Sequence, residues 1–273
     1  MKTKFLLAFF LAGAAISAAS ANTLVYDPYN VSGPGSYTAG TSLSNPVNNN
    51  QPAAEGAWTG PVSGFTTYFV SSEGLTYSGL ATSGGSLAST PLGTNTRAFS
   101  STNITDTLYY SFLVRFTDFD NVVLLGLGDS SGAIASGLRV GAGGVTAART
   151  TNNYSADGTT FALGTTYLVV GKFSQSGANS FTSLWINPTL GVGEPGVANS
   201  VAVGSVGPGA AQWYSFTTNG DISYQFDEFR VGTTWDSVTP AAIPEPSTGL
   251  LIAGALVVGA TLRHKKGRNT SKA

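Results

Sequence analysis

The sequence predicts an all-β domain, and three observations carry that expectation. Apolar side chains recur at period two, most clearly at Leu108, Tyr110, Phe112, Val114 and Phe116, which places them together on one buried face of a strand. Between the two chain ends no long stretch repeats at the helical period, so amphipathic helices are not expected there. Short apolar runs alternate instead with segments rich in Gly, Ser, Asn and Pro, the residues that form turns.

Taken in order, residues 22–64 open with a short strand at Leu24-Val25-Tyr26 and then have loop composition as far as Trp58-Thr59-Gly60-Pro61. Residues 65–70 and Leu75-Thr76-Tyr77 read as short strands, and residues 79–96 as a Gly/Ser-rich loop. The strand at residues 108–116 follows, its second face mixing Tyr109, Ser111, Leu113 and Arg115. Residues 122–127 are continuously apolar, as a strand covered on both faces requires. Residues 137–140 and 145–148 flank Gly141-Ala142-Gly143-Gly144 and predict a hairpin. A second hairpin, with a longer loop at residues 175–179, joins residues 167–173 to residues 181–186. Residues 189–212 read as an irregular connection with one weak strand near Val201.

The last strand, residues 222–231, changes phase. Ile222, Tyr224 and Phe226 take even positions, whereas Phe229 and Val231 take odd ones. One face cannot hold both sets unless an extra residue intervenes, so a β-bulge is predicted at Asp227 and Glu228. Trp235 and Pro240 close the domain.

The two chain ends are of another kind. Lys2 and Lys4 precede an apolar run at residues 5–16, and Ala19-Ser20-Ala21 forms an A-x-A site; residues 1–21 are therefore expected to be a signal peptide that leaves Asn22 as the new N-terminus. At the other end Pro244-Glu245-Pro246-Ser247 is followed by an uncharged apolar run, residues 248–262. The basic residues Arg263, Lys265, Lys266 and Arg268 then lie in the tail, residues 263–273. Fifteen helical residues span ~22 Å, short of a ~30 Å hydrocarbon core but adequate for a sorting helix. Cations on one side would keep the tail cytoplasmic and residues 22–243 outside.

Those 222 residues suit one cored β domain. They hold six basic residues against thirteen acids, a net charge of −7, although the whole chain is at −1. Such a balance disfavours nucleic acid as a partner. With no cysteine in the chain, the core has to hold without disulfides. The single histidine, His264, belongs to the basic tail, so the domain contains no Ser-His-Asp triad, no Cys-His pair and no histidine-based zinc site.

The ordered C-terminal triad of Pro-Glu-Pro-Ser, apolar run and basic cluster resembles the PEP-CTERM sorting signal of Gram-negative surface proteins. That resemblance implies an exosortase-type processing enzyme as partner, recognition through Pro244, Glu245, Pro246 and Ser247, and export through the inner membrane. Membrane anchoring would be followed, after processing, by residence at the cell surface or outside the cell. A plain C-terminal anchor, its prolines merely ending the domain, is the competing reading. Over residues 108–240 the second hairpin and the closing Asp227-Glu228-Phe229-Arg230-Val231 resemble LamG-like, concanavalin A-like jelly rolls. This implies a two-sheet antiparallel β-sandwich of about twelve strands, of a kind found on secreted carbohydrate-binding or surface proteins.

Candidate sites follow from residue chemistry. Asp227 and Glu228 could serve as the paired carboxylates of a glycosidase, but adjacent residues on a regular strand point to opposite faces, so a bulge cap or a pairing with Arg230 is preferred. Asp118, Asp120 and Asp129 supply hard oxygen ligands for calcium without the spacing of a known calcium loop; no other cofactor is expected. Trp58 and Trp213, beside loops, are the candidate carbohydrate contacts, whereas Trp185 sits in an alternating strand and reads as core. The leading expectation is a non-enzymatic envelope or extracellular-matrix component with a structural or adhesive role. A carbohydrate-binding module for exopolysaccharide is the first alternative, and a glycoside hydrolase or lyase the second.

Overall fold

The computed structural model describes residues 23–32, 36–41, 43, 68–88, 93–98, 107–129, 133–151, 153–205, 213–219 and 223–242. Its strands in chain order begin with β1 (Thr23–Asp27), β2 (Phe69–Ser71), β3 (Ser86–Ala88), β4 (Gly93–Ala98), β5 (Leu108–Phe116), β6 (Val122–Gly128) and β7 (Ile134–Val140). They continue with β8 (Val145–Thr150), β9 (Tyr154–Thr160), β10 (Thr166–Ser176), β11 (Asn179–Ile186), β12 (Ser200–Ser205), β13 (Trp213–Asn219) and β14 (Tyr224–Gly232). A single helical turn, α1 (Trp235–Val238), follows. One sheet has the order β12-β11-β10-β5-β14-β3-β2, with β1 also paired to β14, and the other the order β4-β13-β6-β7-β8-β9. Every strand pair is antiparallel.

The two sheets pack face to face as a β-sandwich. Leu108, Tyr110, Phe112, Val114 and Phe116 of β5 meet Val123, Leu125, Leu127, Leu138 and Val140 of β6 and β7 in one buried cluster, the period-two set read from the sequence. Close-packing is tight enough that Gly171 of β10 has no room for a side chain: a Cβ there would lie 2.0 Å from Tyr110 Cζ.

β14 carries the predicted bulge. Its register against β5 passes from Asp227↔Leu113 to Arg230↔Ser111, one residue longer on β14 than on β5. Glu228 takes the left-handed conformation, φ 56°, a strained choice for a residue other than glycine. In consequence Tyr224, Phe226, Phe229 and Val231 all reach the same core. Phe226 lies 4.9 Å from Phe112 and Phe229 lies 4.7 Å from Tyr214, centroid to centroid.

Other elements depart from the sequence reading. Fourteen strands stand among the described residues where about twelve are expected. β3 and β4 lie in the stretch read as loop, and β9, β13 and α1 have no counterpart in that reading. Their short Ser-, Thr- and Gly-rich sequences become strands because neighbours pair with them, as Leu87 does with Phe226. Leu75-Thr76-Tyr77 is not a strand; Leu75 N–H instead donates to Asp227 Oδ2, 2.7 Å. The second hairpin has a shorter loop than expected, since Ser176 pairs with Asn179. Gly177 opens that two-residue turn at φ 58°, where primed hairpin turns call for glycine.

The outer face of the larger sheet is also covered. Tyr109 and Leu113 of β5, Leu168 and Val170 of β10 and Trp185 of β11 pack with Leu75, Leu80, Trp235 and Val238 into a second cluster. This explains why β10 is apolar without interruption at Leu168-Val169-Val170: Val169 serves the inner core and its two neighbours the outer one. Among the described residues no helix is long and apolar enough to cross a membrane; the expected signal peptide and the apolar run 248–262 lie outside them.

Replacing Gly171 by alanine is expected to cost about 1–3 kcal/mol or more of stability by overpacking against Tyr110, read as a lowered urea midpoint. An unchanged midpoint would mean that the Tyr110 ring does not rest on Gly171.

Candidate functional site

Among the described residues, three polar constellations carry charged side chains into or onto this apolar framework. The first is built by the bulge. Asp227 Oδ1 accepts from Glu228 N–H at 2.6 Å, and Oδ2 from Leu75 N–H. Glu228 Oε1 accepts from Ser83 N–H, and Oε2 from Tyr26 O–H at 2.9 Å and Arg230 Nη2 at 2.5 Å. Arg230 also donates to Ala81 O at 2.6 Å, and its guanidinium lies 4.5 Å from the Tyr26 ring centre. A groove of about 430 Å³ adjoins it, lined by Thr23, Tyr26, Ser83, Arg230, Ser237 and Pro240 among others.

Both carboxyl groups are fully buried, and each of their four oxygens accepts a bond from the protein. Burial pushes Asp227 up to about 9, helped by the Glu228 charge and opposed by the Leu75 and Glu228 amides. Burial also raises Glu228, with Arg230 as the largest opposing influence. Such a pair fastens chain segments, joining β14 to the loops at residues 75 and 81–83. Neither Asp227 nor Glu228 is among the residues that line the adjoining groove.

The second constellation lies inside the sandwich. Asp27 Oδ2 accepts from Tyr37 O–H at 2.6 Å and Tyr214 O–H at 3.3 Å, with Arg97 Nη1 at 3.9 Å. Oδ1 takes the Tyr29 amide at 3.1 Å, and Arg97 Nη1 donates to Tyr37 Oη at 3.2 Å. Burial raises the Asp27 pKa against the pull of Tyr37 and Arg97. Since Asp27 belongs to β1, Arg97 to β4 and Tyr214 to β13, these contacts bridge the two sheets. No sequence signal could find them, because Asp27 and Tyr214 stand 187 residues apart.

The third lies on the outer face of the larger sheet. Lys172 Nζ donates to Glu194 Oε1 at 2.9 Å and Oε2 at 3.2 Å, and Tyr109 O–H donates to Glu194 Oε2 at 2.6 Å. Lys172 and Glu194 stand at a groove of about 480 Å³ that Ser174, Phe181, Ser183 and Val201 also line. Its wall is residues 187–199, pinned by Trp185 Nε1 donating to Val197 O at 3.0 Å and by Ile186 N–H donating to Asn199 Oδ1 at 2.8 Å. The sequence reading treats this wall as a plain connection.

The residues singled out from sequence fare unequally. Pro244, Glu245, Pro246, Ser247, Arg263, Lys265, Lys266, Arg268, Ala19, Ala21, Asn22 and Trp58 lie outside the described residues. Trp213 is the first residue of β13, in register with Ala98 and Gly128, so its backbone is in the smaller sheet. Trp185 is buried, as read. Asp118 Oδ2 accepts from Ser223 N–H at 2.7 Å, Asp129 Oδ1 accepts from Ala133 N–H at 3.1 Å, and Asp120 is exposed. Among the described residues no three His, Cys, Asp or Glu side chains gather as a metal site. Among the described residues the acid pair Asp227 and Glu228 is the candidate that the fold assembles, with Arg230 bonded to Glu228.

No protein-family model matches the chain, and no curated protein does. Among solved structures, one described as a sialidase aligns with a TM-score of 0.46 at 13% identity, covering 79% of this chain and 19% of its own. The Trypanosoma rangeli sialidase in complex with 2,3-difluoro-KDN aligns with 0.41 at 14%, covering 62% and 27%. The binding domain of botulinum neurotoxin DC in complex with SialylT gives 0.40 at 11%, covering 71% and 47%. The chain thus spans from about a fifth to about half of the length of these structures. None of these likenesses carries a functional argument.

Two outcomes are expected of the bulge. Arg230→Met leaves Glu228 buried without its cation and costs about 3–5 kcal/mol at neutral pH, part of which Arg230→Met/Glu228→Gln restores; urea unfolding measures both, and a negligible loss in the single variant would contradict the pairing. Asp227 keeps its proton to about 9 when folded but gives it up near 3.8 when unfolded. Between those values the unfolded chain binds fewer protons, so stability rises as pH falls from about 8 to about 5, and Asp27 acts in the same direction. A midpoint that drops on acidification over this range would contradict the assignment.

Proposed function

We propose that this chain is an exported, non-catalytic cell-envelope or extracellular-matrix protein whose β-sandwich, of the concanavalin A-like jelly-roll type, is delivered by a PEP-CTERM sorting signal. The observation that carries this reading is the C-terminal order of Pro244-Glu245-Pro246-Ser247, uncharged run and basic cluster, matched at the other end by a signal-peptide pattern closing at Ala19-Ser20-Ala21. On this reading residues 248–262 hold the chain in the inner membrane and an exosortase-type enzyme recognises the Pro-Glu-Pro-Ser segment. The domain then serves a structural or adhesive role outside the cell.

Support for a non-catalytic domain comes from the carboxylates. Asp227 and Glu228 are buried and bonded to β14 and its neighbouring loops, and Glu194 is held by Lys172 and Tyr109. A second reading, that the domain binds exopolysaccharide, is favoured by the preformed groove beside Lys172, Glu194 and Phe181.

Intact-mass spectrometry of the protein recovered from the producing cell tests the delivery. The expected mature chain starts at Asn22 and lacks the residues after the Pro-Glu-Pro-Ser segment. An unprocessed full-length chain in the cytosol would overturn the proposal.

A further inference from the structure

The outer-face groove has a more specific chemistry than a surface depression, and its floor follows from strand register. Lys172 stands opposite Ser183, which stands opposite Val201; Ser174 stands opposite Phe181, which stands opposite Val203. At period two these side chains share one face, opposite to Phe173, Leu184 and Ala202, which enter the inner core. Lys172 and Glu194 form the polar end. Their side chains are 29% and 31% exposed, so both reach solvent while paired. Phe181, half-buried, supplies an apolar surface on the same floor.

We infer that this groove is a binding site for a neutral pyranose chain, an inference that rests on the second reading above. A sugar hydroxyl both donates and accepts. A vicinal diol is therefore matched by a donor and an acceptor held side by side, which Lys172 Nζ and Glu194 provide at 2.9 Å. Glu194 Oε1 accepts one bond from Lys172 and keeps a lone pair for that purpose, and both side chains reach solvent. Because the two charges neutralise each other, the complement is an uncharged ligand and not an anionic one. The Phe181 ring meets the apolar C–H face of the sugar, and Ser174 and Ser183 border it with hydroxyl groups. The wall is fastened by Trp185, Ile186 and Asn199, so the ligand has no loop to order on binding.

The test is calorimetric titration of the purified full-length chain with linear neutral hexasaccharides: β-1,4-glucan, β-1,3-glucan, α-1,6-glucan and β-1,4-galactan. At least one is expected to bind with a dissociation constant below about 1 mM. Phe181→Ala and Glu194→Gln should each weaken that binding about tenfold or more at an unchanged unfolding midpoint. Tyr154→Ala, an exposed aromatic on β9 of the other sheet, should leave it unaltered. Glu194→Gln keeps the test decisive if Phe181→Ala fails to fold. Binding indifferent to Glu194→Gln, or equally weakened by Tyr154→Ala, overturns the site and leaves carbohydrate binding elsewhere on the domain standing. No binding to any of the four sugars, or binding of an unstructured peptide in their place, overturns the site and the second reading together, and leaves the sorting proposal untouched.

Discussion

One extra residue in β14 is the constraint on which the rest of the sandwich depends. Without it Phe226 and Phe229 would point to opposite sides of the sheet, and either the inner core would lose a ring or the outer layer would gain one. With Glu228 in the left-handed region both rings enter the core, and the two acids beside them are carried inside. Buried carboxyl groups are tolerable only when bonded. The Leu75 and Ser83 amides, Tyr26 and Arg230 supply those bonds, so the loops at residues 72–85 are drawn down onto the sheet. A packing requirement in the core thereby fixes the course of a surface loop.

The same reasoning applies to Asp27, on β1 in register with Phe229 of β14. Desolvating Asp27 and Arg97 costs free energy that their mutual attraction alone does not offset; the hydroxyls of Tyr37 and Tyr214 reduce that cost. What the arrangement supplies is position. A strand of the larger sheet is tied to two strands of the smaller one by contacts with one satisfactory geometry. The two buried carboxyl networks flank the Phe226 and Phe229 rings, and both favour the protonated acid.

The outer layer has a different character. Tyr109, Leu113, Leu168, Val170 and Trp185 form an apolar outer face that loop residues and α1 cover. Where that cover ends, at residues 194–198, the groove begins. The Lys172, Glu194 and Tyr109 bonds sit at this boundary, which is why polar groups and an aromatic floor occur together there. The site is thus a consequence of how far a loop extends over a sheet.

Much of the fold was legible because strand formation and turning are local. The alternation at residues 108–116, the flanking of Gly141-Ala142-Gly143-Gly144 by short apolar runs and the phase change at Asp227 are each written within a few neighbouring residues. The structure bears each of them out. The candidate site was legible only in part. A bulge cap or a pairing with Arg230 is expected for Asp227 and Glu228; Arg230 bonds Glu228, whereas Asp227 takes the Leu75 and Glu228 amides, and nothing in the chain announced Tyr26, Ser83 or Leu75 as partners.

By itself the sequence determined the all-β character, the hairpins and the place of the bulge, because backbone period and turn chemistry are set by neighbours. Tertiary structure alone decided that β3 and β4 are strands, that the second face of β5 is buried, and that Glu194 meets Lys172 and Tyr109. Burial and pairing belong to whatever packs against a face, and here the partners come from remote parts of the chain.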